Sequence, residues 1–222
     1  MMRFEPDLNT IKQFLNEAFK LGITYVESCS FYIEGQCETL LGQALKDCPR
    51  ESYELGAKFC YHDNVEGYDF ERFFNEQLNK LQVDYIDYYL FQAVDRTSFK
   101  EDGTLKEKVI EYYNILVQKQ KEGKVKYIGF SFHDTPPYLE HLLSTYKWDV
   151  CQLQLNYYDW YLGVAKDLYS LTEKYKVPVF VMGGLKGGTL GDKNSIPPQL
   201  AYKFLNMLPN IKLVLNGSTS IQ

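Results

Sequence analysis

Residues 70–92 read FERFFNEQLNKLQVDYIDYYLFQ. Phe70, Phe73, Phe74, Leu78 and Leu81 recur at helical spacing and share one face of a helix. Four residues on, the period changes. Tyr85 to Phe91 is a β-rich, nearly unbroken apolar run, the pattern of a strand covered on both faces. A helix that runs at once into a buried strand, with the polar Gln92 at its end, is one unit of a parallel α/β fold.

The same alternation extends outward in both directions. Toward the N-terminus, Leu8, Ile11, Phe14, Leu15, Ala18 and Phe19 share a helical face, with Asn9 or Thr10 as candidate cap. Ile23 to Val26 follows as a short strand, Leu40, Leu41, Ala44 and Leu45 mark a helix, and Tyr53 to Lys58 is a strand. Toward the C-terminus a helix over Val109 to Val117 stops at Gly123, and Val125 to Phe130 is a strand. Helices around Tyr138, Val164 and Leu200 then alternate with strands from Val150 to Leu155, Val177 to Met182 and Ile211 to Leu215. That is seven helix–strand units, helix first and strand last. Strands so separated pair in parallel through crossovers.

An eightfold barrel needs one more strand in front and one more helix behind. Met1 to Phe4 supplies a stub of that strand, and only Gly217 to Gln222 follows the last one. The expectation is therefore a parallel (β/α)8 TIM barrel shortened at both ends, its first strand vestigial and its last helix missing. The alternative is an open, doubly wound sheet, whose GxGxxG fingerprint is absent after the first strand. Nothing reads as a linker, so residues 1–222 form one domain, with loops at 61–68, 93–104 and 186–197.

Composition narrows the function classes. Apolar residues make up 45% of the 222 and aromatics 16%, which excludes a disordered chain. A net charge of −5 without a basic run argues against a nucleic-acid partner. No apolar stretch is long enough to span a membrane, and MMRFEPDLNT does not read as a signal peptide. The five cysteines (Cys29, Cys37, Cys48, Cys60 and Cys151) are odd in number and lack CxxC spacing. They point to a reducing cytoplasm rather than a disulfide framework.

Polar residues collect where the strands end, the place parallel α/β folds put their chemistry. In order these are Glu27 and Tyr32, Lys58 and His62, Gln92 and Asp95, then Ser131, His133 and Asp134. Gln152, Gln154 and Asn156 follow, then Lys186, then Asn216 with Ser218. A tyrosine is a poor acid at neutral pH unless a cation lowers its pKa from about 10. A lysine at the neighbouring strand end supplies that cation, and an acid behind the lysine fixes it. Residue types alone leave open the plainer reading of an interior tyrosine near a salt-bridged lysine. His133 or His62 with Asp134 forms a second candidate acid–base pair. His141 lies mid-helix at the surface. A metal site is not expected.

Eight segments in order, GITYVESCSFY, GQCETLLGQALK, LGAKF, LNKLQVDYIDYYLFQ, GKVKYIGFSFHD, CQLQLNYYDW, VPVFVMGGLKGG and LVLNGSTS, resemble the aldo-keto reductases over nearly the whole chain. The likeness is greatest to a bacterial branch that often carries a C-terminal iron–sulfur extension, absent here. It implies a barrel with NADP(H) or NAD(H) lying across its C-terminal face and reversible hydride transfer to a small carbonyl substrate. Of the family's catalytic Asp, Tyr, Lys and His, the Tyr falls on Tyr32 and the Lys on Lys58. The Asp position holds Glu27, one methylene longer. The His position holds Gln92, which can orient a carbonyl but cannot carry a proton.

The resemblance also implies cofactor-binding positions. Ser131 and Gln152 fall where the nicotinamide amide is gripped, with Phe132 in place of an Asn, and Met182 lies under the ring. Gly183-Gly184, in place of a residue and a proline, are expected to widen the pocket and loosen the backbone. Lys186-Gly187-Gly188 is either a phosphate-binding turn or a solvated loop. Asn216-Gly217-Ser218 resembles the start of the pyrophosphate site, after which the family's adenosine-phosphate helix is missing. Weak carbonyl reduction is therefore expected. The alternatives are a barrel without redox activity, either a cofactor-free isomerase or lyase or a binding protein. A seam between first and last elements predicts a homodimer or a rearranged N-terminus.

Overall fold

The computed structural model describes residues 7–59, 69–191 and 196–217. The Met1–Phe4 stub, the 61–68 loop, His62 and Ser218 lie outside them. Helices α1 (Leu8–Lys20), α2 (Cys37–Leu45), α3 (Phe70–Leu81), α4 (Glu107–Lys121), α5 (Pro136–Thr145), α6 (Tyr157–Leu162), α7 (Ala165–Tyr175) and α8 (Pro198–Asn206) alternate with seven strands. The strands are β1 (Tyr25–Cys29), β2 (Glu54–Phe59), β3 (Ile86–Val94), β4 (Val125–Phe132), β5 (Val150–Gln154), β6 (Val179–Met182) and β7 (Ile211–Val214). They form one sheet in sequence order, β1 to β7. A doubly wound sheet reverses its order partway; this one does not, and the parallel α/β reading of the sequence holds.

The first of two compact units holds the chain up to Phe91 together with Glu107–Ile128. Its α3 forms as the sequence predicts. Asp69 caps it by accepting from the Arg72 N–H at 3.1 Å, Phe70, Phe74, Leu78 and Leu81 are buried, and Gln82 ends it in the left-handed region. Gly42 lets α2 approach the end of α3, because a Cβ there would overlap the Lys80 carbonyl oxygen and stand 2.7 Å from the Leu81 carbonyl carbon. Asp87, buried on β3, ties the unit together. It accepts from Arg50 Nη2 at 2.5 Å and the Leu55 N–H at 2.8 Å, and pairs with Lys126 Nζ at 2.7 Å. Burial pushes the Asp87 carboxyl up, but these donors outweigh it and hold it below its ordinary value.

The second unit holds Gln92–Lys106 and Gly129–Asn216. Its strands pair in parallel, with Ser131 opposite Gln152 and Gln154 opposite Met182. Phe130, Leu153 and Val181 share one buried face of these strands, and Phe180 is buried on the other, beside Gln152.

Three local expectations need correction. Asp7, not Asn9 or Thr10, caps α1, accepting from the Thr10 N–H at 3.0 Å. The first strand lies two to three residues later than Ile23–Val26: Ile23 is exposed, and pairing with β2 draws Glu27, Ser28 and Cys29 into the sheet. The 93–104 segment is not plain loop, since it carries the end of β3, a 3₁₀ turn at Arg96–Ser98 and a bridge from Phe99 to Leu105. Helix α6 is an addition that the sequence reading lacked.

Candidate active site

Parallel pairing of β1 with β2 sets Glu27 opposite Gly56 and Cys29 opposite Lys58. Side chains alternate along a strand, so Tyr25, Glu27, Gly56 and Lys58 share one face. The pairing brings Lys58 Nζ to 2.7 Å from Glu27 Oε1, with side-chain exposures of 5% and 9%. Tyr25 donates its hydroxyl hydrogen to the other oxygen, Glu27 Oε2, at 2.9 Å. The longer glutamate therefore does not displace the lysine. Burial pushes the Lys58 ammonium toward neutrality, but the Glu27 carboxylate and the Tyr32 phenol more than offset this, and its pKa lies above the ordinary lysine value.

Tyr32 stands in the turn after β1. Its N–H donates to the Cys29 carbonyl at 3.0 Å, and its carbonyl accepts from the N–H groups of Gly35 and Cys37, both at 3.2 Å. Ile33 and Glu34 follow at φ 53° and 50°. Left-handed backbone costs a non-glycine residue on the order of 1–2 kcal/mol, so strain is stored beside the tyrosine. Lys58 interacts with the phenol by charge and by hydrogen bond. The expected lowering of the Tyr32 pKa is nevertheless corrected. Burial is the largest influence and raises it, Lys58 only partly offsets that, and the net shift is upward. Tyr32 is a fully protonated donor at neutral pH.

Behind this face lies a buried polar chain. Gln77 Nε2 donates to the Lys58 carbonyl at 3.2 Å and to Glu38 Oε1 at 2.5 Å, and the Tyr89 hydroxyl donates to Gln77 Oε1. Burial raises the Glu38 pKa. The sequence reading missed Tyr25, Gly56, Gln77 and Glu38, because their roles depend on register and on helix packing rather than on motif.

In the second unit, Gln92 is half-buried near the end of β3. Ala93 follows at φ 54°, and its N–H donates to Ser131 Oγ at 2.8 Å. The Ser131 hydroxyl thus accepts one bond and keeps its own hydrogen to donate. Gln152, fully buried, is its register partner. Phe132 is buried edge-on to Phe130 at 6.3 Å. Met182 is half-buried at the end of β6.

The backbone at the glycines after β6 is held and closely packed rather than loose. Gly183 takes φ 66° and its carbonyl accepts from Asn156 Nδ2 at 3.1 Å, while a Cβ on Gly184 would stand 3.1 Å from Leu205 Cδ1. Lys186 is neither an open phosphate ligand nor freely solvated. Its Nζ lies 2.6 Å from Asp159 Oδ1 and 4.2 Å from the Tyr158 ring centre. Asp159 also accepts from Gln154 at 3.0 Å and Asn156 at 2.8 Å. Asn216 is exposed and accepts from the Tyr202 hydroxyl at 3.2 Å.

The histidine–aspartate alternative loses its acid. Asp134 accepts from Arg96 Nε and Nη2, both at 2.9 Å, and from the Arg96 N–H at 2.7 Å, with the guanidinium the main cause holding it far below the usual carboxylate range. It clamps a turn. Among the described residues no three His, Cys, Asp or Glu side chains are grouped to hold a metal ion, and no helix is long and apolar enough to cross a membrane.

A parallel sheet in barrel order, with a tyrosine, a lysine and an acid meeting at adjacent strand ends, defines a class, and comparison with known proteins gives the family. The family model for the Aldo/keto reductase family matches residues 4–210, and the chain belongs to that family. It is 28% identical over 187 residues to Probable aldo-keto reductase 1 of Glycine max, covering 81% of this chain and 51% of that protein. It is 26% identical over 195 residues to Methylglyoxal reductase YeaE of Escherichia coli (strain K12), covering 85% and 63%. The chain thus spans half to three-fifths of the length of these relatives.

Solved structures of similar fold include an aldo/keto reductase from Klebsiella pneumoniae in complex with NADP and acetate. It has a TM-score of 0.77 and 19% identity, with 100% of this chain and 79% of that one covered. The holo form of aldo-keto reductase AKR11C1 from Bacillus halodurans has a TM-score of 0.75 and 20% identity, with 97% and 79% covered.

Proposed function

We propose that the protein is an NADP(H)-dependent reductase of small aldehydes and ketones. The observation that carries this is the buried Lys58–Glu27 pair at 2.7 Å with the Tyr32 phenol beside the lysine. Tyr32 is the general acid and gives its hydrogen to the carbonyl oxygen as the carbonyl carbon is reduced. Lys58 stays charged, lies against the phenol and stabilises the phenolate left behind. Glu27 keeps that charge in place, and Gln92 holds the position at which the family resemblance implies a carbonyl-orienting side chain.

The residues present fit a nicotinamide dinucleotide. Ser131 has a hydroxyl hydrogen to donate, and Gln152, directly opposite it on the neighbouring strand, a buried carboxamide, a donor–acceptor set suited to an amide. Met182 offers a polarisable apolar surface, and Lys186 a cation for phosphate, reached by giving up Asp159. The bound group would supply the hydride. The named activity of the E. coli relative points to α-dicarbonyls such as methylglyoxal as first substrates.

The test is a fluorescence titration with NADPH and NADH, followed by NADPH oxidation with methylglyoxal and a panel of small aldehydes. Saturable NADPH binding with turnover of at least one carbonyl is expected. Absence of both binding and turnover would overturn the reading. Gln92→His is expected to speed turnover, because it restores a side chain that can carry a proton.

A further inference from the structure

Glu27 Oε1 stands 2.7 Å from Lys58 Nζ, and Oε2 is the oxygen that accepts from Tyr25. A buried carboxylate oxygen without a donor is costly. Tyr25 supplies the donor at 2.9 Å. Burial, reinforced by the Glu27 charge, holds the Tyr25 phenol well above its ordinary pKa, so it remains a donor at any working pH. The ring of Tyr25 meets Tyr88 edge-on at 5.7 Å and 68°, and Tyr88 is the register partner of Gly56. Space for this arrangement exists because residue 56 has no side chain. A Cβ there would overlap the Tyr25 hydroxyl, stand 2.8 Å from Tyr25 Cζ and reach within 3.3 Å of Glu27 Cγ.

We propose that Tyr25 is a positioning residue for the Glu27–Lys58 pair, working in a slot that Gly56 keeps open. Glutamate has one more rotatable bond than aspartate. Left alone, its carboxylate would sample rotamers in which Lys58 loses its partner. Tyr25 pins the second oxygen and selects the rotamer that presents Oε1 to the ammonium. The three side chains form one unit, Tyr25 to Glu27 to Lys58, with a glycine as its fourth member.

The test has two arms. The turnover arm rests on the function proposed above; the stability arm does not. In the stability arm, Gly56→Ala is expected to lower the melting temperature by roughly 5 °C or more in the wild-type background, as overpacking does. In the Tyr25→Leu background at least half of that loss should vanish. If Gly56→Ala does not fold, recovery of folded protein in the double variant supports the slot. An equal loss in both backgrounds, or failure of both to fold, overturns it.

In the turnover arm, Tyr25→Phe keeps the ring and removes only the hydroxyl. It is expected to lower kcat about tenfold with the KM for NADPH within about twofold, and to move the alkaline limb of the rate profile to lower pH. In a Glu27→Asp background, where the shorter acid withdraws from the hydroxyl, the same change should cost less than twofold. Unchanged kcat and an unchanged limb in Tyr25→Phe would overturn the positioning role. Absence of turnover in the wild type would overturn the proposed function and leave Tyr25 and Gly56 to be judged by the melting temperatures.

Discussion

Two of the chain's lysine–carboxylate pairs, almost equal in length, stand in different settings. Lys58 and Glu27, at 2.7 Å, are nearly excluded from water, with exposures of 5% and 9%. Lys186 and Asp159, at 2.6 Å, are exposed by 38% and 19%. Distance does not distinguish them; solvent does. A lysine shut off from water cannot trade a carboxylate for solvent, so Glu27 holds its charge in place. A lysine that water reaches can exchange one anion for another at modest cost. The first arrangement suits a proton-transfer centre, whose electrostatics must already be in place. The second suits an exchangeable grip, the role proposed above for Lys186.

Breaking the buried pair should produce the largest effect. Glu27→Ala strands a cation in the interior, a change that typically costs about 3–5 kcal/mol. A urea titration should show that loss, and turnover should fall with it. The same removal at the exposed pair separates stability from binding. Lys186→Met should cost less than about 1 kcal/mol of stability, yet weaken NADPH binding roughly tenfold, through loss of a charge-assisted bond to phosphate.

The exchange idea is sharpened by Asp159→Asn. This variant keeps an acceptor for Gln154 and Asn156 but releases the ammonium, so NADPH should bind about two- to fivefold more tightly in a fluorescence titration. Weaker binding would mean that Asp159 positions Lys186 rather than competing for it.

The smallest effect expected is on pH dependence. The pKa values of Lys58 and Tyr32 both lie above their ordinary values. Stability contributed by Lys58 is fully present below the unfolded lysine pKa of about 10.4 and is lost as pH rises through the higher folded value. Turnover should therefore be flat from neutral pH to about 10. A limb near pH 8 would mean that Tyr32 is far more acidic than its burial allows.

Much of the fold was legible because helix and strand periods alternate without ambiguity over 70–132, and all seven units are found. The misreadings have local causes. Ile23 and Val26 look like a strand by apolarity, but hydrogen bonding to β2 selects Tyr25–Cys29, with three non-aliphatic residues at its end. Helix α6 has no polar face to mark it and is set by Asn156, which accepts from the Asp159 N–H at 2.8 Å. Tyr32 and Lys58 could be named from sequence because they stand in motif-bearing segments. Tyr25 and Gly56 could not, since only strand register places a residue at 25 against one at 56. Asp159 lies in plain view in QLNYYDW, but the lysine it holds is 27 residues away across a strand.

In the proposed function the buried pair serves the Tyr32 phenol, and Tyr32→Phe removes that hydroxyl alone. Phenylalanine keeps the ring and removes only the hydrogen to be transferred. NADPH oxidation with methylglyoxal should fall by about 10²–10⁴-fold, while the fluorescence titration with NADPH and the melting temperature stay close to wild type. A variant that reduces methylglyoxal at an undiminished rate would contradict the account and move the chemistry away from the Glu27–Lys58 pair.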